Sequence, residues 1–153
     1  RSLILIIDEA QQLTPKQIEI VRGLLNLETA EAKLIQMIIF GQLEFLNNIS
    51  GKRFKNFRQR VAMSYVLTPL SLSDTGAMIN YRLKRAGYKG KHIFTRDAIE
   101  ELYRSSKGLP RAITKFCHVA MLIAFYQQEK KIDRDIIVSA VQSTPLKGVE
   151  EHE

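Results

Sequence analysis

A single cysteine, Cys117, stands in the 153 residues, so the chain has no internal disulfide. Its neighbours Phe116, Val119, Ala120, Leu122 and Ile123 are apolar at helical spacing, the surroundings of a packing residue and not of a nucleophile. The three histidines, His92, His118 and His152, show no ligand spacing and predict no metal centre of their own. Apolar runs such as Val119 to Phe125 fall far short of the roughly 20 residues a membrane-spanning helix needs, so no transmembrane segment is expected here. Acids are nearly missing from the middle of the chain. Between Glu44 and Asp97 only Asp74 is acidic, whereas eleven lysines and arginines from Lys52 to Arg96 fall there, in a chain of net charge +7. Such a basic block can meet nucleic acid, nucleotide phosphates or an acidic neighbouring subunit; for most of its members a solvated face is the simplest reading.

What is present starts at the first residues. Leu3-Ile4-Leu5-Ile6-Ile7 is a run of apolar β-formers that ends in two adjacent carboxylates, Asp8 and Glu9. A run of this length fits a strand buried on both faces of a parallel sheet, and acids at its carboxyl end lie where open α/β sheets place their ligands. The pattern resembles a Walker B strand. Asp8 would hold Mg²⁺ through its water shell and Glu9 would orient an attacking water, because phosphoryl transfer depends on positioning and charge neutralisation. The plainer alternative is a core strand followed by a solvated helix start. A nucleotide hydrolase of this kind also needs a phosphate loop of the form G-x-x-x-x-G-K-[ST]. Neither Gly-Lys pair supplies one: Gly51-Lys52 has Leu46 in the first glycine position and is followed by Arg53, and Gly90-Lys91 has Arg85 there and is followed by His92. Arg1-Ser2 leads directly into a core strand with no initiator Met, so the expectation is a segment of a longer ATPase whose phosphate loop lies upstream.

Further along, Thr14 caps a helix from Pro15 to about Asn26 with Ile18, Val21, Leu24 and Leu25 as its apolar stripe. A second strand is expected over Leu34 to Phe40, stopping at Gly41-Gln42, and a short helix through Leu43, Leu46 and Ile49. A basic helix-like segment, Arg53 to Arg60, precedes a third expected strand at about Ala62 to Leu67. Strands separated by helices predict a parallel sheet. After Thr68-Pro69-Leu70 the pattern turns wholly helical: Ser73 to Ala86, Arg96 to Ser106 capped by Thr95, Pro110 to about Gln127 after the break Gly108-Leu109-Pro110, and Arg134 to about Ser143. The division expected is an α/β part over 1–69, a helical part over 70–146 and a flexible tail over 147–153.

The ordered set Leu5-Ile6-Ile7-Asp8-Glu9-Ala10-Gln11, Leu25-Asn26-Leu27-Glu28, Ile38-Ile39-Phe40-Gly41-Gln42-Leu43-Glu44, Arg58-Gln59-Arg60-Val61, Leu70-Ser71-Leu72 and Gly108-Leu109-Pro110-Arg111-Ala112-Ile113 resembles the AAA+ ATPases, and within them the general secretion pathway protein A (ExeA-type) group. The resemblance implies an α/β fold: part of a parallel-sheet P-loop NTPase core, followed by a small all-α lid bundle. It implies ATP and Mg²⁺ as cofactors, with Asp8 at the metal, Glu9 at the lytic water, Gln42 as a sensor of the γ-phosphate and Arg111 as the lid's sensor. Arg60 would be the arginine finger acting on a neighbouring subunit in a homo-oligomer, with Arg58 as substitute. For Gln42 the competing role is a polar cap on the helix after Gly41, and for Arg60 ordinary membership of the basic face. In the family the strand leading to the phosphate loop lies between the second and third strands seen here, so this segment alone is expected to be poorly stable or to borrow pairing. The function implied is coupling ATP hydrolysis to assembly of a secretion or pilus apparatus through an envelope partner. The location implied is cytoplasmic, with any attachment to the inner face of the membrane made outside this chain. A DNA-associated, transposition-helper ATPase and a nucleotide-independent interaction module are the alternatives.

Overall fold

The computed structural model describes residues 3–27 and 34–144. The tail expected over 147–153 and Glu28 lie outside them. The chain divides into two compact units, Arg1–Val66 and Leu67–Glu153.

In the first unit, strands β1 (Leu3–Ile7) and β2 (Ile35–Ile39) pair in parallel with Leu3 opposite Ile35 and Ile7 opposite Ile39. Between them comes helix α1 (Pro15–Leu24), whose start carries a complete capping box: the Thr14 side chain accepts from the Gln17 backbone N–H, and Gln17 Oε1 accepts from the Thr14 N–H at 2.8 Å. Helices α2 (Leu43–Asn48) and α3 (Lys55–Arg58) follow β2, the second led in by a 3-10 turn at Lys52–Phe54. Alternation puts Ile7, Met37 and Ile39 on the sheet face packed against a core of Ala10, Ile18, Val21, Phe45, Ile49, Phe54 and Phe57. Phe45 and Phe57 meet edge to face at 6.3 Å between ring centres.

The opposite face carries Ile4, Ile6 and Ile38, which are 58%, 61% and 46% exposed. Burial on both faces, expected from the apolar runs, is therefore met on one face only among the described residues. The third strand expected at Ala62 to Leu67 does not form: residues 61–70 have no strand partner, and Met63, Tyr65 and Leu67 are exposed. A β-forming sequence becomes a strand only where a neighbouring ladder takes up its backbone N–H and C=O groups, and this segment pairs with no described strand.

The second unit is a helical bundle of α4 (Leu72–Arg85), α5 (Arg96–Ser106), α6 (Pro110–Tyr126) and α7 (Arg134–Gln142). Ser71, Thr95 and Asp133 cap three of these helices with side-chain oxygens. Its core includes Leu102, Ile113, Phe116, Ile132 and Ile137, all fully buried. Glu101 Oε2 accepts from Arg104 Nη1 at 2.9 Å and from Arg134 Nε at 3.1 Å, tying α5 to α7; the Arg134 hydrogen bond holds this carboxyl below its ordinary range. Cys117 faces the core and burial pushes its thiol up to about 12, the state of a packing residue. Among the described residues no helix is long and apolar enough to cross a membrane.

A two-stranded sheet with one open apolar face is marginal, whereas the bundle closes its own core. Hydrogen exchange on this chain is therefore expected to show backbone amides of α5 to α7 protected well beyond those of β1. β1 amides as slow as that of Ile137 would show that the open face is covered in solution.

Candidate functional site

The site of the first unit is built where both strands end on the same side. The parallel register brings the end of β1 beside the end of β2, and the ladder runs on past them: Phe40 N–H donates to Ile7 O at 2.8 Å, and Ala10 N–H donates to Phe40 O at 2.9 Å. The residues after each strand, Asp8-Glu9 and Gly41-Gln42, are thus neighbours.

Asp8 and Glu9 are both exposed. Asp8 Oδ1 accepts the Glu9 backbone N–H at 2.8 Å, and among the described residues Oδ2 has no hydrogen bond. Glu9 sits in the left-handed region (φ 55°, ψ 41°) and leads a 3-10 turn at Ala10–Gln12. A residue with a Cβ adopts that conformation at a cost of about 1–2 kcal/mol, and such strain collects where a side chain must be aimed.

Gln42 is the residue before α2, and its side chain makes no capping hydrogen bond. A side-chain helix cap, its competing role, is therefore not one it performs. Its backbone N–H is satisfied instead by Gln11 Oε1 at 3.1 Å. The Gln11 amide reaches the other way as well, Nε2 donating to Glu9 Oε2. Gln11 stands in the strand-end motif, but the sequence pattern assigns it no role; its signal, a polar amide two positions beyond a carboxylate, becomes legible only once the turn folds it back.

The two arginine candidates separate cleanly. Arg58 Nη1 donates to Ile49 O and, at 2.8 Å, to Gly51 O, so its guanidinium closes the end of α2. Arg60, exposed in the turn after α3, has no side-chain partner among the described residues. Arg53 lies over the Phe54 ring, 5.6 Å from its centre, and is another member of the basic block with a local role.

In the second unit, Arg111 is exposed in the first turn of α6. Pro110 starts that helix, and Gly108 takes φ +74° just before it. A cation at a helix N-terminus opposes the helix dipole, so stability does not account for Arg111. Among the described residues no cluster of three or more His, Cys, Asp or Glu could hold a metal ion. A Mg²⁺ ion held through water needs less, since it keeps several waters and takes one or two carboxylates together with phosphate oxygens. Asp8, exposed with one oxygen free, fits that donor set.

Comparison with known proteins places this architecture. An AAA domain family matches residues 1–49. The RuvB Holliday junction branch migration motor of Thermotoga maritima superposes with a TM-score of 0.71 at 14% identity over 92% of this chain and 44% of that one. A variant of the same motor gives 0.72 at 12% over 94% and 45%. At that identity the likeness is one of fold, and the fold is that of the AAA+ P-loop NTPases. The chain has the fold of the AAA+ ATPases and is similar to an AAA domain in sequence over its first 49 residues. General secretion pathway protein A of Aeromonas hydrophila is 38% identical over 148 residues, 96% of this chain. The chain spans 27% of that relative's length.

Proposed function

We propose that this chain is the part of an AAA+ ATPase that carries the hydrolytic carboxylates and the helical lid, and that the full-length protein couples ATP hydrolysis to assembly or remodelling of a secretion or pilus apparatus. The observation that carries the catalytic half is the pair Asp8 and Glu9, exposed together at the carboxyl end of β1 beside the end of β2. The secretion half rests on the relative's identity over nearly the whole chain.

In this reading Asp8 would hold Mg²⁺ through water, and the ion when bound would supply charge neutralisation to the nucleotide phosphates. Glu9 offers a carboxylate oxygen, Oε1, that no described residue engages, and through it orients the attacking water and accepts its proton. Gln42, at the adjoining strand end, has a side-chain amide that makes no capping bond and would act as the sensor of the γ-phosphate. Arg60 stabilises transition-state charge in a neighbouring subunit's site, and Arg111 links loss of the γ-phosphate to movement of the lid. The homo-oligomer is formed through the Arg60 face.

Steady-state ATP turnover of the full-length protein tests this. Mg²⁺-dependent hydrolysis is expected, and Glu9→Gln is expected to lower kcat by at least ~100-fold while a fluorescent ATP analogue still binds, as general-base removal does. Wild-type turnover in Glu9→Gln would remove Glu9 from the chemistry.

A further inference from the structure

The Gln11 amide makes two hydrogen bonds in opposite directions. Nε2 donates to Glu9 Oε2, and Oε1 accepts the backbone N–H of Gln42. One planar group thus joins the side chain at the end of β1 to the backbone at the end of β2. The space for it is set by Gly41: a Cβ there would lie 3.4 Å from Gln11 Oε1 and 3.3 Å from the Cβ atoms of Ala10 and Phe45. The amide cannot invert without loss, because its NH₂ would then face the Gln42 N–H and its oxygen the Glu9 carboxylate.

The consequence falls on Glu9. Its backbone is fixed by the left-handed turn and by the Glu9 N–H to Asp8 Oδ1 bond, but a glutamate side chain retains three rotatable bonds. Gln11 supplies the missing restraint by holding Oε2. Oε1 then points where Oε2 does not, unengaged by any described residue. A carboxylate whose one oxygen is anchored and whose other is open is the arrangement that places a general base on a water with little reorganisation.

We propose that Gln11 is a positioning residue for ATP hydrolysis: it anchors the Glu9 carboxylate and couples its orientation to the Gln42 strand end. The proposal rests on the reading of Glu9 as the residue that orients the lytic water. Coupling follows from the geometry, since any displacement of the Gln42 backbone drags Gln11 Oε1 and with it the oxygen of Glu9.

Two substitutions in the full-length protein separate positioning from mere support of the turn. Gln11→Ala removes both bonds. Gln11→Glu keeps the shape and the acceptor for the Gln42 N–H, but replaces the donor facing Glu9 with a second carboxylate. If Gln11 positions Glu9, both variants lower kcat about tenfold or more, the rate equivalent of one lost directional contact, with KM for ATP changed less than about twofold. Thermal melting controls for folding, and Gln11→Glu is expected to melt near the wild type. A Gln11→Glu enzyme turning over at the wild-type rate would show that only the Gln42 bond matters and would overturn the proposal. So would a rise in kcat on Gln11→Ala, which would make Gln11 a restraint on Glu9. The parallel Glu9→Gln measurement keeps the two failures apart. If Glu9→Gln is inactive and Gln11→Glu normal, the positioning role alone falls. If Glu9→Gln turns over normally, the reading of Glu9 falls and the role of Gln11 with it.

Discussion

In the full-length protein, Arg60→Ala is expected to lower ATP turnover by roughly 10³-fold, the scale at which an arginine finger acts, without loss of nucleotide binding. The expectation rests on a contrast between two arginines two positions apart. The Arg58 guanidinium is occupied by the carbonyls of Ile49 and Gly51, whereas that of Arg60 is exposed with no described partner. A guanidinium left in water confers little stability on its own subunit, so its effect, if large, lies on something that docks against it. Mixing Arg60→Ala subunits with Glu9→Gln subunits decides where. At one kind of mixed interface an intact Glu9 site meets an intact Arg60, and turnover there is partly restored. Mixtures that assemble and stay inactive would show that Arg60 does not act across subunits. Arg58→Ala should instead lower the melting temperature of the first unit, because it uncovers two carbonyls at the end of α2.

The second large effect is on stability. Gly108→Val is expected to destabilise the helical unit by about 3–5 kcal/mol, combining left-handed strain with overpacking against an immovable neighbour. Gly108 takes φ +74°, and a Cβ on it would stand 2.2 Å from Leu70 O and 3.1 Å from Leu70 N. What it would strike is backbone, and that backbone is held, since Leu70 N–H donates to Gly108 O at 2.9 Å. No rotamer change relieves such a contact. For a unit of this size each kcal/mol shifts the melting point by roughly 4–8 °C, so a fall of about 12 °C or more is expected in thermal unfolding. A shift under about 4 °C would mean that the Leu70–Gly108 contact gives way at little cost. Arg111, three residues on, makes the opposite comparison. Its removal relieves a cation at the start of α6 and should leave the melting point unchanged or slightly raised, while lowering turnover if the lid reads the nucleotide through it.

Local signals carried most of the element order. Thr14 before Pro15, Thr95 before a periodic apolar stretch and Pro110 after Gly108 each mark a helix start by chemistry confined to a few residues, and α1, α5 and α6 begin where those signals stand. β1 and β2 were equally plain as apolar runs bounded by Asp8 and Gly41. The segment Ala62 to Leu67 failed by the same reasoning. Its residues favour a strand, but its pairing depends on a ladder elsewhere, which composition does not reveal.

Local sequence established which residues could do chemistry and where the helices and the two paired strands begin. Side-chain type, capping and hydrophobic period act over one to seven residues, and the carboxylates of Asp8 and Glu9 at a strand end are visible at that range. What these side chains touch was set by the fold. It gave Arg58 to the carbonyls of Ile49 and Gly51, withdrew the Gln42 side chain from capping, set Gly108 against Leu70, and placed the Gln11 amide between Glu9 and Gln42. Except for the local Gln11–Glu9 bond, each joins residues 7 to 38 positions apart, or removes a partner that the local sequence offered. Contacts at that range follow from how strands register and helices pack, and the pattern along the chain does not encode them one residue at a time.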